Sequence, residues 1–168
     1  MKTLEVKPLT AESFAAFGDV IESTGNESFE INYGMADRYH ALAKVEIDPE
    51  KEGYSVISLV KSKKYELPQK VKIIERHPLG SQAFIPRDKT AFIVVVAEPG
   101  DQVKADQLHA FITNGEQGIN YHAGVWHGLL LTPFAAMDFI CVDRAGAGEN
   151  CEEIHFEERE QYTLDIQL

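Results

Sequence analysis

Apolar and polar positions alternate along this chain in short runs, broken every few residues by turn chemistry, which predicts β-strands rather than helices. Eight runs qualify: Ala43–Ile47, Tyr54–Val60, Val71–His77, Gln82–Pro86, Ala91–Ala97, Leu108–Thr113, Val125–Leu131 and Met137–Val142. Ala91–Ala97 (AFIVVVA) is apolar on both faces, as a strand covered on both sides must be. Between the runs stand EPGD, NGEQG and RAGAGEN, all turn or loop chemistry. One stretch reads as helix. Thr10 can cap AESFAAFGDVI, Glu12 falls in its first turn, and Gly18 stops it. Phe14 and Phe17 share a face, so this helix is expected to brace the main body. No repeat, low-complexity segment or linker divides the chain. Residues 1–168 are expected to form one all-β domain, a barrel or sandwich with a short N-terminal helix.

The most informative run is Phe111–Leu131, FITNGEQGINYHAGVWHGLLL. Asn114-Gly115 predicts a hairpin turn, whose two central residues both need positive φ. Gly118 breaks the chain again before Ile119–His122. Ala123-Gly124 then turns it into a strand whose Trp126 and three leucines should enter a core. His122 and His127 fall at the lip and the inside of a β layer, where apolar walls and a few polar groups make a small-molecule pocket. Tyr121 and His122 are expected at its rim, and Trp126 in core packing.

A second cluster lies in Ile73–Pro86, IIERHPLGSQAFIP. Side chains at i and i+2 of a strand share a face, roughly 7 Å apart. Glu75 and His77 therefore point one way and Arg76 the other; a reversed register would make Arg76 the inward group. Pro78 and Gly80 end the strand, and Gln82 opens the next, able to turn toward the same interior. His127 can join from its later strand. Upstream, Ser28–His40 has turn chemistry at Gly34 and ends in Arg38, Tyr39 and His40, a trio able to rim a pocket.

Composition narrows the partners. A chain of 168 residues buries roughly 70% of its unfolded surface, enough for a sizeable core. No apolar run approaches the ~20 residues of a membrane span. The segment MKTLEVKPLT lacks the apolar core of a signal peptide, so a cytoplasmic location with reduced thiols is expected. Two cysteines are too few for a disulfide framework, and Cys141, inside FICV, is expected to be buried. The net charge of −11, from 27 acids against 16 bases, excludes a nucleic-acid face. An anionic substrate must meet a local Arg or Lys instead of a global field. The acidic EEIHFEERE run is expected to be a solvated face.

The pattern of Glu75, His77 and Gln82, followed later by Gly124 and His127, resembles the two motifs of the cupins. In those small β-barrels, the first motif carries two histidines one residue apart and then an acid. A second motif pairs a glycine with one more histidine. Glu75 stands where the first histidine would be and Gln82 where the acid would be. More narrowly, ERHPLGSQAFIP and FITNGEQGINYHAGVWH are very similar to the ureidoglycolate lyase family, and a weaker likeness runs from PLTAESFAAFGDVIE to the strand Asp138–Asp143. The resemblance implies a cupin-fold homodimer that converts (S)-ureidoglycolate to glyoxylate and urea. It also implies a divalent metal, nickel having been associated with the family, at Glu75, His77, Gln82 and His127, and no organic cofactor. Cleavage needs one base and one acid, which Glu75, His77 and His127 can supply. Arg76, Gln82, Tyr121, His122, Arg38 and His40 are the candidates for holding the anionic ureido acid. Arg87, Lys89 and Arg144 are further cations. Two other readings stay open: an amidohydrolase acting on the ureido group, and a non-catalytic cupin that binds a small acid.

Overall fold

The computed structural model describes residues 2–166. β1 (Thr3–Leu4), β2 (Val6–Pro8), the helix α1 (Ala11–Phe14) and β3 (Gly18–Ile21) open the chain. β4 (Phe29–Ile31) and β5 (Ala36–Arg38) form a ribbon, and β6 (Gly53–Ser62) is long. β7 (Gln69–Lys70), β8 (Ile73–Arg76), β9 (Gln82–Pro86) and β10 (Ile93–Ala97) follow. Then come β11 (His109–Ile112), β12 (Gly118–Tyr121) and β13 (Trp126–His127). β14 (Met137–Gly146), β15 (Glu152–His155) and β16 (Thr163–Leu164) complete the order.

Two sheets face one another. One has the order β15-β8-β13-β10-β11-β2 and the other β3-β12-β9-β14-β6. Val94 and Val96 of the first sheet, Ile119 and Phe139 of the second, and Phe92 fill the space between them. Phe139 meets Phe92 at a ring separation of 5.1 Å and Phe84 at 6.2 Å, both edge to face. On the far side of the six-stranded sheet, Ile93, Val95 and Trp126 pack under Leu4, Phe156 and Leu164. There β1, β16 and β7 form a third small sheet. β10 is consequently buried at every residue, as its unbroken apolar run predicts. The all-β, cupin-like expectation holds, but as two sheets with β15 and β6 left as edges and not as a closed barrel.

Several expected elements change. Asn114-Gly115 does turn the chain, with Gly115 at φ +92°, yet Asn114 has no positive φ. The flanking strands do not pair with each other: β11 pairs with β10 and β2, while β12 pairs with β3 and β9. The segment carries the chain from one sheet to the other. The helix closes after one turn, held by a capping box of Thr10 and Ser13. Gly18 lies in β3, where a Cβ would stand 1.9 Å from the Asn120 carbonyl oxygen, and Phe14 and Phe17 are core residues. Ala43–Ile47 is only a bridge from Ile47 to Gly80. The run Val125–Leu131 shrinks to β13 and a bridge at Leu131, leaving Leu129 exposed. The acidic C-terminal run is largely exposed, but its first residues form β15, and Phe156 is buried. Cys141 is buried as expected. No helix among the described residues is long and apolar enough to cross a membrane.

Candidate active site between the sheets

β8 lies between β15 and β13, and its register places Glu75 opposite both His127 and Glu153. Directly opposed residues of an antiparallel pair share a face. Glu75 and His127 therefore project together, and the face is the inner one: His127 pairs with Val96 of the inter-sheet core. His77, just beyond β8, turns its ring the same way, 5.1 Å from that of His127. Glu75 Oε1 is 3.8 Å from His77 Nε2 and 4.0 Å from His127 Nδ1. Across the gap, the Tyr121 ring of β12 stacks on His127 at 4.3 Å.

The imidazoles differ in their second contacts. His77 Nδ1–H donates to the Asn150 carbonyl at 2.6 Å, and its buried Nε2 has no hydrogen-bond partner among the described residues. His127 is 2% exposed, and neither of its nitrogens has a partner among the described residues. Burial, then the neighbouring His77, push its pKa down to about 3. The Glu75 carboxylate would act in the opposite sense, but 4.0 Å is too long for a hydrogen bond, and desolvation dominates. His127 is therefore neutral at pH 7, a lone-pair donor and not an imidazolium acid. Burial and then the Glu75 charge hold the Tyr121 phenol above its ordinary range, so it keeps its proton.

One ligand atom each from Glu75, His77 and His127 lies within 4.8 Å of the others. A carboxylate and two imidazoles, one oriented through its other nitrogen by a backbone carbonyl, are a donor set that a divalent ion accepts. The orphaned nitrogens are what such an ion would satisfy, so these residues fit the group. Glu75 also belongs to a more exposed cluster with Cys151 and Glu153, and Cys151 Sγ lies 3.8 Å from Glu75 Oε2. Burial, followed by these carboxylates, raises the Cys151 thiol, so it is a poor nucleophile.

The remaining sequence candidates are spread out. Gln82 pairs with Tyr121 on the inner face of β9. Arg76 faces away: it lies over the Trp126 ring at 4.7 Å, donates to Glu152 at 2.7 Å and donates to the Gly100 carbonyl. His122 sits 3.3 Å from Asp19. Arg38 is exposed at the base of the β4–β5 ribbon, and His40 lies beyond it beside Phe29. Asn150, Asp143 and Glu153 join the site without having been signalled by the sequence. Asn150 stood inside an apparent loop, Asp143 just past the predicted run Met137–Val142, and Glu153 in the acidic run expected to be a solvated face. An apolar cavity of about 160 Å³ beside Tyr65, Val71 and Leu131 takes in none of the cluster.

Fold and site together define a cupin-like enzyme in which an acid and two imidazoles converge between the sheets. The family profile described as ureidoglycolate lyase matches residues 1–164. The ureidoglycolate lyase of Pseudomonas aeruginosa (strain LESB58) is 51% identical over 167 residues, covering 99% of this chain and 98% of its own length. That of Pseudomonas fluorescens (strain SBW25) is 49% identical over 164 residues, 98% of each chain. That of Stutzerimonas stutzeri (strain A1501) is 48% identical over 167 residues, 99% of this chain and 98% of its own. This chain belongs to the ureidoglycolate lyase family.

Proposed function

We propose that the chain cleaves (S)-ureidoglycolate to glyoxylate and urea as a single catalytic domain. The observation that carries the chemistry is the inward Glu75 carboxylate flanked by imidazoles with unpartnered nitrogens. The substrate has a hydroxyl, a carboxylate and a ureido nitrogen on one carbon. Glu75 takes the hydroxyl proton, the carbonyl forms, and the carbon–nitrogen bond breaks with its electron pair on nitrogen. The same proton then passes from Glu75 to that nitrogen and urea departs. No imidazolium is required, in keeping with the depressed His127 pKa. His77, fixed by Asn150, and His127, fixed by Tyr121, position the reacting carbon.

His77 Nε2, His127 and Glu75 would hold a divalent ion, nickel in this reading, with Gln82 left outside the trio. When bound it supplies Lewis-acid polarisation of the substrate oxygens. Raised thiol pKa values at Cys141, pushed up to about 12 by burial and then Asp143, and at Cys151 disfavour a cysteine amidohydrolase. A coupled assay of the purified protein, with and without chelator, tests the reading. Glyoxylate and urea are expected in equal amounts; ammonia with carbon dioxide would defeat it. Chelation should lower the rate, with nickel restoring it.

The proposal extends to a cytoplasmic homodimer. Among the described residues, eight of the ten exposed large apolar side chains lie between residues 29 and 59. Ile57 and Leu59, 78% and 65% exposed, continue through the register into Val142, Ile140 and Ile85 on the outer face of the five-stranded sheet. The β4–β5 ribbon, with Tyr33 and Met35 fully or largely exposed, packs chiefly on itself. A patch of this kind suits a self-complementary contact. Sedimentation should show a dimer that Ile57→Lys turns into a monomer. A reduced compartment suits the two free cysteines.

A further inference from the structure

Gln82 Nε2 donates to Asp143 Oδ2 at 3.1 Å, while Gln82 Oε1 is buried with no partner among the described residues. The register explains why they meet. Val142 pairs with Ala83 across β14 and β9, so Asp143 falls beside Gln82, on the face that Gln82 shares with Tyr121. A carboxylate can only accept hydrogen bonds, so the amide must turn its nitrogen toward Asp143 and its oxygen the other way. The orientation is thus chemically dictated. The result is a buried acceptor without a donor, in a site otherwise rich in acceptors. Glu75, Glu153, His77 and His127 all stand on inward positions. Among the inward positions that the register assigns on β6, β8, β9 and β12–β15, none is Lys or Arg.

We infer that Gln82 Oε1 is the acceptor for the ureido N–H groups of the substrate and that Asp143 is a positioning residue that locks the amide in this sense. The inference rests on the ureido-acid reading above and deepens it by assigning the specificity of the site. A compound with N–H donors at this place satisfies Oε1; one lacking them leaves it orphaned and is rejected. A carboxylate there would face Gln82 Oε1 and Asp143 together and be repelled. The substrate's orientation follows, with its ureido end toward β9 and β14 and its hydroxyl toward Glu75.

Two unreactive probes isolate the ureido contact: N-carbamoylglycine, which has the ureido group and carboxylate without the hydroxyl, and glycolate, which lacks the ureido group. Calorimetric titration of the metal-loaded full-length protein gives the affinity for each. Gln82→Met, close in shape but with no acceptor, should weaken N-carbamoylglycine about tenfold, as loss of one neutral hydrogen bond does. Glycolate affinity should stay within about twofold. Asp143→Asn, which can donate to Oε1 and let the amide flip, should show the same probe-selective loss. It should also raise KM for ureidoglycolate more than it lowers kcat. Equal losses for both probes would mean that Gln82 serves as a metal ligand or a structural prop, and would overturn the inference. Unchanged affinity for N-carbamoylglycine, or no binding of it by the wild type, would overturn it too. The reaction assignment fails separately, through the absence of urea in the turnover assay.

Discussion

Replacing His127 by Leu should stabilise the metal-free protein while abolishing its activity. In the native chain, His127 carries two buried nitrogens without partners, each worth about 1–3 kcal/mol in lost solvation. Against this stands the stacking on Tyr121, worth about 0.5–1.5 kcal/mol. The net gain expected on removing the imidazole at pH 7.5 is about 2 kcal/mol, or roughly 4–8 °C in Tm for a chain of this size. Acid widens the gap. The folded-state pKa of about 3 lies below the ordinary 6.5, so above pH 6.5 both states are neutral and nothing is lost. As pH falls from 6.5 toward 3, the unfolded chain binds a proton that the folded chain refuses, and native stability drops by about 1.4 kcal/mol per pH unit. At pH 5 the wild type should have lost about 2 kcal/mol through this residue, and His127→Leu none of it. Urea unfolding with EDTA at pH 7.5 and 5.0 measures both numbers, and turnover with metal restored should fall about a hundredfold, as loss of positioning does. A wild type more stable than the variant at pH 5, or a difference that ignores pH, would refute the burial account of His127.

Other expectations follow from the same contacts. Asn150→Ala removes the Oδ1 that accepts the Leu79 N–H at 2.8 Å and loosens the carbonyl that holds His77; metal affinity should fall about 10–100-fold by competition titration, with Asn150→Asp restoring most of it. Arg76→Ala should cost stability through the lost Trp126 and Glu152 contacts, about 1–2 kcal/mol in urea, while leaving kcat within a few-fold, since its side chain faces away from the site. Gly53→Ala would bring a Cβ to within 2.3 Å of Arg144 Nε, and because Arg144 is buried it has nowhere to retreat; a loss of about 1–3 kcal/mol in urea unfolding is expected.

Alternation in sequence separated the two faces of β8 but left open which of them is the inner one. β9 matches the predicted Gln82–Pro86, and the period-two pattern turned Glu75 and Arg76 to opposite faces, as their contacts show. Turn chemistry said less than it seemed to. Asn114-Gly115 specifies a reversal of direction, but not which sheet the next strand will join. That choice is made by contacts distant in sequence, such as Gln117 Nε2 donating to the Leu9 carbonyl and to Glu22. β15 was hidden because its charges suit an edge strand and mask the alternation. Asn150 was illegible for a related reason: its part is played by a backbone carbonyl and a loop amide, which no pattern of side-chain types displays.

The two walls of the site belong to different sheets, His127 and Glu75 to one, Tyr121 and Gln82 to the other, with Phe84, Phe92 and Phe139 wedged between the sheets. Those rings act as a spacer that gauges the width of the cleft. Trimming one would let the walls close, and so would alter which substrates fit without touching any group that handles a proton. Tuning of substrate size in this scaffold should therefore be sought in its aromatic filling as much as in its polar lining.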